Sequence, residues 1–136
     1  IFTVPALSTG SWYHLAVTGD GTDLKLYING TQQGGNKADG DWSIGEFFRT
    51  YNFYYFAGYV DEIGLWTGTT LSSSDVSSIA NLGAASGDKA IDLTSYTGLT
   101  HWWRFGDGDT SPTVSDNVGS NDMTLVNGPT FVSQVP

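Results

Sequence analysis

The chain has 136 residues, 39 % hydrophobic and 14 % aromatic, which is enough apolar material for one domain with a real core and too much for a disordered segment. Fourteen acidic against five basic residues leave a net charge of −9 with no basic run, so a phosphate backbone or an anionic lipid surface is repelled and nucleic acid is excluded as a partner. There is no cysteine, hence no disulfide framework and no thiolate metal site, and no apolar run nears the length of about 18 residues that spans a membrane.

Ile1 opens directly on strand-like sequence, and the chain is expected to be a piece of a longer polypeptide. Turn signals recur at the spacing of about 8–12 residues that marks an all-β sandwich or barrel. Trp12 to Thr18 alternates, with Tyr13, Leu15 and Val17 on one face, until Gly19-Asp20-Gly21 breaks the run. Leu24 to Asn29 alternates again, with Leu24, Leu26 and Ile28 expected inward and Lys25 and Tyr27 outward. Asn29-Gly30 predicts a tight turn, because both residues tolerate positive φ, and a third strand follows near Thr31 to Gln33.

Residues 34–41 read as a Gly- and Asp-rich loop, Trp42 to Glu46 as a short strand, and Phe47 to Phe56 as an unusually aromatic stretch. Gly58 to Trp66 reads as a strand with the polar pair Asp61-Glu62 in it. Ser72 to Leu82 is the one helix candidate. Ser72 can cap, Asp75 stands three residues on as in a capping box, Val76, Ile79 and Ala80 share a face, and Gly83 is expected to end it. Residues 87–98 read as a connector and Thr100 to Phe105 as a strand carrying Trp102 and Trp103. Asp107 to Asp122 reads as a long acidic loop, and Met123–Val126 and Thr130–Val132 as short strands around Asn127-Gly128-Pro129. The expected fold is all-β, a two-sheet antiparallel jelly-roll sandwich with one short helix.

Several of these runs occur in a family order. Trp12-Tyr13-His14-Leu15-Ala16-Val17-Thr18, Leu26-Tyr27-Ile28-Asn29-Gly30, Ile44-Gly45, Gly58-Tyr59-Val60-Asp61-Glu62-Ile63-Gly64-Leu65-Trp66 and Leu71-Ser72 with its helix resemble the C-terminal half of a LamG-like domain. That family lies within the concanavalin A-like lectin/glucanase superfamily, and the resemblance covers about residues 10–82. It implies a jelly roll used for glycan and protein adhesion. Trp102-Trp103-Arg104-Phe105-Gly106-Asp107-Gly108, Asp116-Asn117-Val118-Gly119 and Met123 to Gly128 resemble the opening strands of the same domain type. The division is therefore 1–86 as the C-terminal half of a sandwich, 87–98 as connector, and 99–136 as opening-type strands. These last strands either complete the same sandwich in permuted order or start the next one. The layout resembles that of bacteriophage structural proteins, such as fibres and decoration proteins. An extracellular or virion-surface location follows from that resemblance as an expectation.

Glycan-cleaving relatives of this fold carry carboxylates alternating along one strand, so that two of them face one sugar. No such pattern exists here. The only glutamates are Glu46 and Glu62, and neighbours such as Asp61 and Glu62 point to opposite faces of a strand. No Gly-x-Ser-x-Gly elbow or zinc-type histidine spacing occurs, and His14 and His101 are expected as packed or hydrogen-bonded imidazoles. The chain is expected not to be an enzyme.

Two binding chemistries remain. Sugars stack their apolar faces on exposed aromatic rings. Trp42, Tyr51, Tyr54 and Tyr55, beside Asp39, Asp41, Arg49 and Asn52, make a candidate contact surface for glycans, cell-surface polysaccharide or neighbouring subunits. Trp12, Trp66, Trp102 and Trp103 are expected in the core. Asp107, Asp109, Asp116 and Asp122 crowd an oxygen-rich loop of the kind a hard cation needs. By the resemblance Asp61 would be the late-strand acid of a structural calcium, with Asp107 or Asp116 on the loop side, and Asp109 is a further candidate ligand of the same loop. The competing use of these acids is to accept backbone N–H groups in turns. If they share calcium, EDTA lowers the melting temperature and added calcium restores it; a melting curve that ignores both removes the metal site.

Overall fold

In the computed structural model the described residues are 2–3, 5–39, 56–86, 92–106 and 108–133, and of 83–86 only the backbone is described. Among them run β1 (Leu15–Gly19), β2 (Asp23–Ile28), β3 (Thr31–Gln32), β4 (Lys37–Ala38), β5 (Ile63–Trp66), α1 (Ser73–Ser86), β6 (Leu99–Trp103), β7 (Thr113–Val114) and β8 (Met123–Thr124). Every strand pairing is antiparallel, and α1 is the one helix among the described residues, so the all-β expectation holds.

β2 is the centre of a four-stranded sheet. β1 lies along one edge, with Leu15 opposite Ile28 and Gly19 opposite Leu24, while β3 and β4 pair end to end on the other. The β1–β2 turn is held by Asp20, whose Oδ1 accepts the Thr22 and Asp23 N–H groups at 3.0 and 2.8 Å. The β2–β3 turn is the predicted one, with Asn29 at φ 49° and Gly30 at φ 74°. Only glycine fits at 30, since a Cβ there would meet the Ser77 Cα of α1 at 2.9 Å.

The facing of this hairpin follows expectation at Ile28, which is buried, and departs from it elsewhere. Tyr27 is buried beside Ile28, whereas Leu15 and Val17 are 57 % and 52 % exposed. Alternation fixes which residues share a face but not which face is covered. Thr18 and Tyr27 are buried on one face of the β1–β2 pair, and Ile28, opposite Leu15, is buried on the other, so each face is covered in part. Two short strands also appear inside expected loops, β4 within 34–41 and β7 within 107–122, while 130–132 forms no strand. Each is a two-residue ladder made by tertiary pairing, below the length at which a periodic signal exists.

α1 begins as the capping box predicts. Asp75 N–H donates to Ser72 Oγ at 3.2 Å, and Asp75 Oδ2 accepts Ser72 Oγ–H at 2.6 Å and Ser72 N–H at 3.0 Å. These bonds hold the Asp75 carboxyl below its ordinary pKa, the Ser72 side chain foremost. Val76, Ile79 and Ala80 are all buried, as their spacing requires. The helix does not stop at Gly83 but runs on to Ser86. An interior glycine costs only about 1 kcal/mol against alanine, and Ala84 and Ala85 follow it.

Ile79, Leu93 and Trp102 form the core cluster, with Trp66, Leu71, Tyr96 and Leu99 packed around it. The helix, the segment after it, and the β5–β6 pair thus share one apolar centre. β5 and β6 pair with Ile63 opposite Trp103 and Leu65 opposite His101, and the register shifts between Leu65 and Trp66. No helix among the described residues is long and apolar enough to cross a membrane. Replacing Ser72 by Ala is expected to lower unfolding free energy by about 1 kcal/mol in urea titration without changing the m-value. An unchanged midpoint would show that the cap contributes nothing.

Candidate functional site

Two buried polar clusters and one exposed aromatic pair stand out. The first cluster is built on β6 and the turn that follows β7. Asp116 bridges to Trp103, and the Asn117 N–H donates to the Trp102 carbonyl at 2.7 Å, so the turn lies against β6. The Asp116 side chain has no exposed surface. Its Oδ1 accepts the N–H groups of Gly119, Trp102 and Val118 at 2.9, 3.0 and 3.2 Å. Its Oδ2 lies 2.6 Å from His101 Nδ1 and accepts the Asn121 N–H at 3.1 Å. The Asp116 N–H in turn donates to Asp122 Oδ1 at 2.9 Å.

Burial opposes the Asp116 charge most strongly. The His101 ring and the Gly119, Trp102 and Asn121 N–H groups outweigh that opposition and hold the carboxyl far below the ordinary carboxylate range. An ionised Asp116 assigns the hydrogen to His101 Nδ1, leaving Nε2 facing the Asn121 amide nitrogen at 3.4 Å. The imidazole stacks on Trp103 with centroids 5.4 Å apart, and Trp103 Nε1–H donates to the Asn121 carbonyl at 2.8 Å.

The second cluster joins the start of β5 to the end of β6. Glu62 takes φ 51°, a left-handed conformation that turns its side chain out of strand alternation. Glu62 Oε2 accepts Trp102 Nε1–H at 2.5 Å, and Oε1 accepts Arg104 Nε–H at 3.2 Å. The guanidinium lies over the Trp102 ring, 4.9 Å from its centroid. With 13 % and 18 % side-chain exposure, Glu62 and Arg104 form a mostly buried ion pair. The sequence expectation that Asp61 and Glu62 sit on opposite faces of a strand fails here, because β5 begins only at Ile63.

The exposed pair is Trp12 and Tyr59, 38 % and 55 % exposed, with ring centroids 6.3 Å apart and planes tilted by 35°. This corrects the expectation that Trp12 is a core residue; Trp102 and Trp103 are buried and Trp66 packs against the core, as expected. Trp12 lies just before β1 and Tyr59 before β5, so the β1 and β5 segments bring them together.

Of the sequence-derived contact residues, Asp41, Trp42, Arg49, Tyr51, Asn52, Tyr54 and Tyr55 lie outside the described residues. Asp39 is described; its Oδ2 accepts the Gly21 N–H at 2.9 Å. Of the candidate metal ligands, Asp107 lies outside the described residues. Asp61 Oδ1 accepts the Glu62 N–H at 3.0 Å. Asp109 accepts the Ser115 N–H at 2.8 Å and the Gly106 N–H at 3.2 Å. Among the described residues no three acidic or imidazole side chains gather as a metal-holding group. The candidate acids that are described accept N–H groups, the chemistry of turns, and the Asp116 side chain is closed to solvent.

Sequence reasoning named His101 and Asp116 separately but did not pair them, and it missed the Glu62 clamp. Fifteen residues separate His101 from Asp116 and forty separate Glu62 from Trp102, so no local pattern links either pair. A glutamate among apolar strand residues at 62 was the available signal.

Residues 2–77 match the family model of the concanavalin A-like lectin/glucanases superfamily, of laminin G type. This match spans more than half of the chain, and the chain belongs to that family. No curated protein and no solved structure matches it. The superfamily includes some glucanases, whereas the laminin G-like family is typically non-catalytic, so the chain is a module of carbohydrate-binding or structural kind.

Acidification acts on two buried groups here. Burial lowers the His14 pKa below its ordinary 6.5, and its Nδ1 is buried with no partner among the described residues. Folded protein therefore binds that proton less readily than unfolded, and stability falls as the pH drops below 6.5. The depressed Asp116 carboxyl stabilises the fold fully above its ordinary 3.8, and this contribution is lost as pH falls further. Urea midpoints measured against pH are expected to fall in these two stages, with His14→Leu removing the upper stage alone. Asp116→Asn is expected to cost about 2–4 kcal/mol near neutral pH. A flat profile, or a silent Asp116→Asn, would show that these groups do not carry stability.

Proposed function

We propose that the chain is a non-catalytic adhesion or decoration module of a larger extracellular or virion-surface assembly, and that it binds glycans or cell-surface polysaccharide. The observation carrying this is the exposed Trp12–Tyr59 pair, two tilted rings open to solvent in a family of lectin type. Aromatic faces left in water cost free energy that stacking on the C–H face of a sugar recovers. The described carboxylates of the two buried clusters are engaged with protein donors, which supports binding without bond cleavage: Glu62 holds Trp102 and Arg104, and Asp116 holds its turn. The acidic surface favours neutral over anionic sugars.

A second reading, a purely structural module packed against neighbouring subunits, is favoured by Leu15 and Val17, which stand exposed on β1. A glycan array probed with the chain, in calcium and again in EDTA, separates the two. Selective glycan binding is expected, with Trp12→Ala and Tyr59→Ala each weakening it by about tenfold, the scale of about 1.4 kcal/mol for a lost aromatic contact. Silence under both conditions would overturn glycan binding and leave the structural reading. Binding that survives both substitutions would move the contact surface away from this pair.

A further inference from the structure

Two Asn-Gly dipeptides occur in the chain, Asn29-Gly30 and Asn127-Gly128, and the fold treats them in opposite ways. The Asn29 side chain is engaged: its Oδ1 accepts the His14 N–H at 2.9 Å, and its own N–H donates to the His14 carbonyl at 2.8 Å. Gly30 is pressed against Ser77 of α1, so the turn cannot open without parting helix and hairpin. Asn127 is exposed, and its side chain makes no hydrogen bond among the described residues. The Gly128 N–H has no backbone acceptor among them either, and nothing lies within 4 Å of where a Cβ would stand. The last ladder pairing before it is Thr113 with Thr124, followed by the Leu125 N–H bond to the Pro112 carbonyl. Among the described residues, nothing beyond that point ties 127 and 128 to the body of the protein through a hydrogen bond.

We propose that Asn127 is a site of spontaneous deamidation and backbone isomerisation, from which Asn29 is shielded by its hydrogen bonds and its packing. The Gly128 nitrogen attacks the Asn127 side-chain carbonyl carbon. A new C–N bond closes a succinimide ring, the amide C–N bond breaks, and ammonia leaves with the proton that the Gly128 nitrogen gives up. Water then opens the ring at either carbonyl, leaving an aspartate or an isoaspartate. No oxidant, reductant or enzyme is needed. Both asparagines start from positive φ, 49° and 66°, so each must leave its resting conformation to react. The difference lies in how much structure must open first. For Asn127 it is a solvent-exposed turn; for Asn29 it is a hairpin seated on a helix. The product adds one negative charge to a chain already at −9, three residues before Thr130 and four before Phe131, whose ring faces Gly106.

The test is ageing of the intact chain at mildly alkaline pH and physiological temperature, followed by proteolysis, mass spectrometry and isoaspartyl methyltransferase labelling. Parallel samples are held in concentrated urea. In native protein the peptide containing Asn127 is expected to convert at least about tenfold faster than the peptide containing Asn29, and urea is expected to bring the two rates together. Equal rates in the native protein, faster loss at Asn29, or an Asn127 that reacts only in urea would each overturn the proposal. A difference that persists in urea would overturn it too, because the selectivity would then come from local sequence and not from the fold. Asn127→Asp supplies the charge without the isomer and is expected to carry no methyltransferase label at early times.

Discussion

A carboxylate without solvent contact is among the costliest groups a protein can bury, and Asp116 is kept charged only because the turn after it and the strand before it both aim N–H groups at it. The consequence runs in both directions. The charge organises Val118, Gly119 and Asn121 around one centre, and those donors are unsatisfied without it. Through the Trp102 N–H and the His101 ring the same carboxylate reaches β6, and β6 carries Trp102 into the core beside Ile79 and Leu93. Displacing Asp116 therefore disturbs a turn, a strand and the apolar centre together.

Glu62 performs the matching task from the other strand of the pair. Its left-handed backbone aims the carboxylate across to Trp102 and Arg104, so β5 and β6 are joined by side chains as well as by their ladder. This matters for chain organisation, because β5 lies within the stretch that matches the family and β6 lies beyond it. In the structure the later stretch is paired with the earlier one through backbone, ion pair and core. Such a buried ion pair adds little over an apolar contact but penalises any misplacement of one partner, so its contribution is to register.

The polar clusters face inward, and the contact surface we propose lies elsewhere, where Trp12 and Tyr59 meet. Hydrogen-bonded elements flank that pair: the β1–β2 hairpin on one side and β5 with its clamp on the other. An aromatic contact surface gains from being held in place beforehand, because little freedom is then lost on binding. The buried carboxylates and the exposed rings are thus complementary parts of one arrangement.

What the sequence determined by itself was everything set by neighbours in the chain. Alternation located β1 and β2, Asn29-Gly30 gave the turn, and Ser72 with Asp75 gave the start of α1, whose buried face follows from the spacing of Val76, Ile79 and Ala80. Each follows from interactions within a few residues, where propensity and periodicity act. Tertiary structure alone decided which residues of the hairpin are covered, that Trp12 is exposed, and that His101 and Glu62 find Asp116 and Trp102. Those outcomes depend on what packs against a residue from fifteen to forty positions away, and a side chain's type does not say which distant partner will satisfy it.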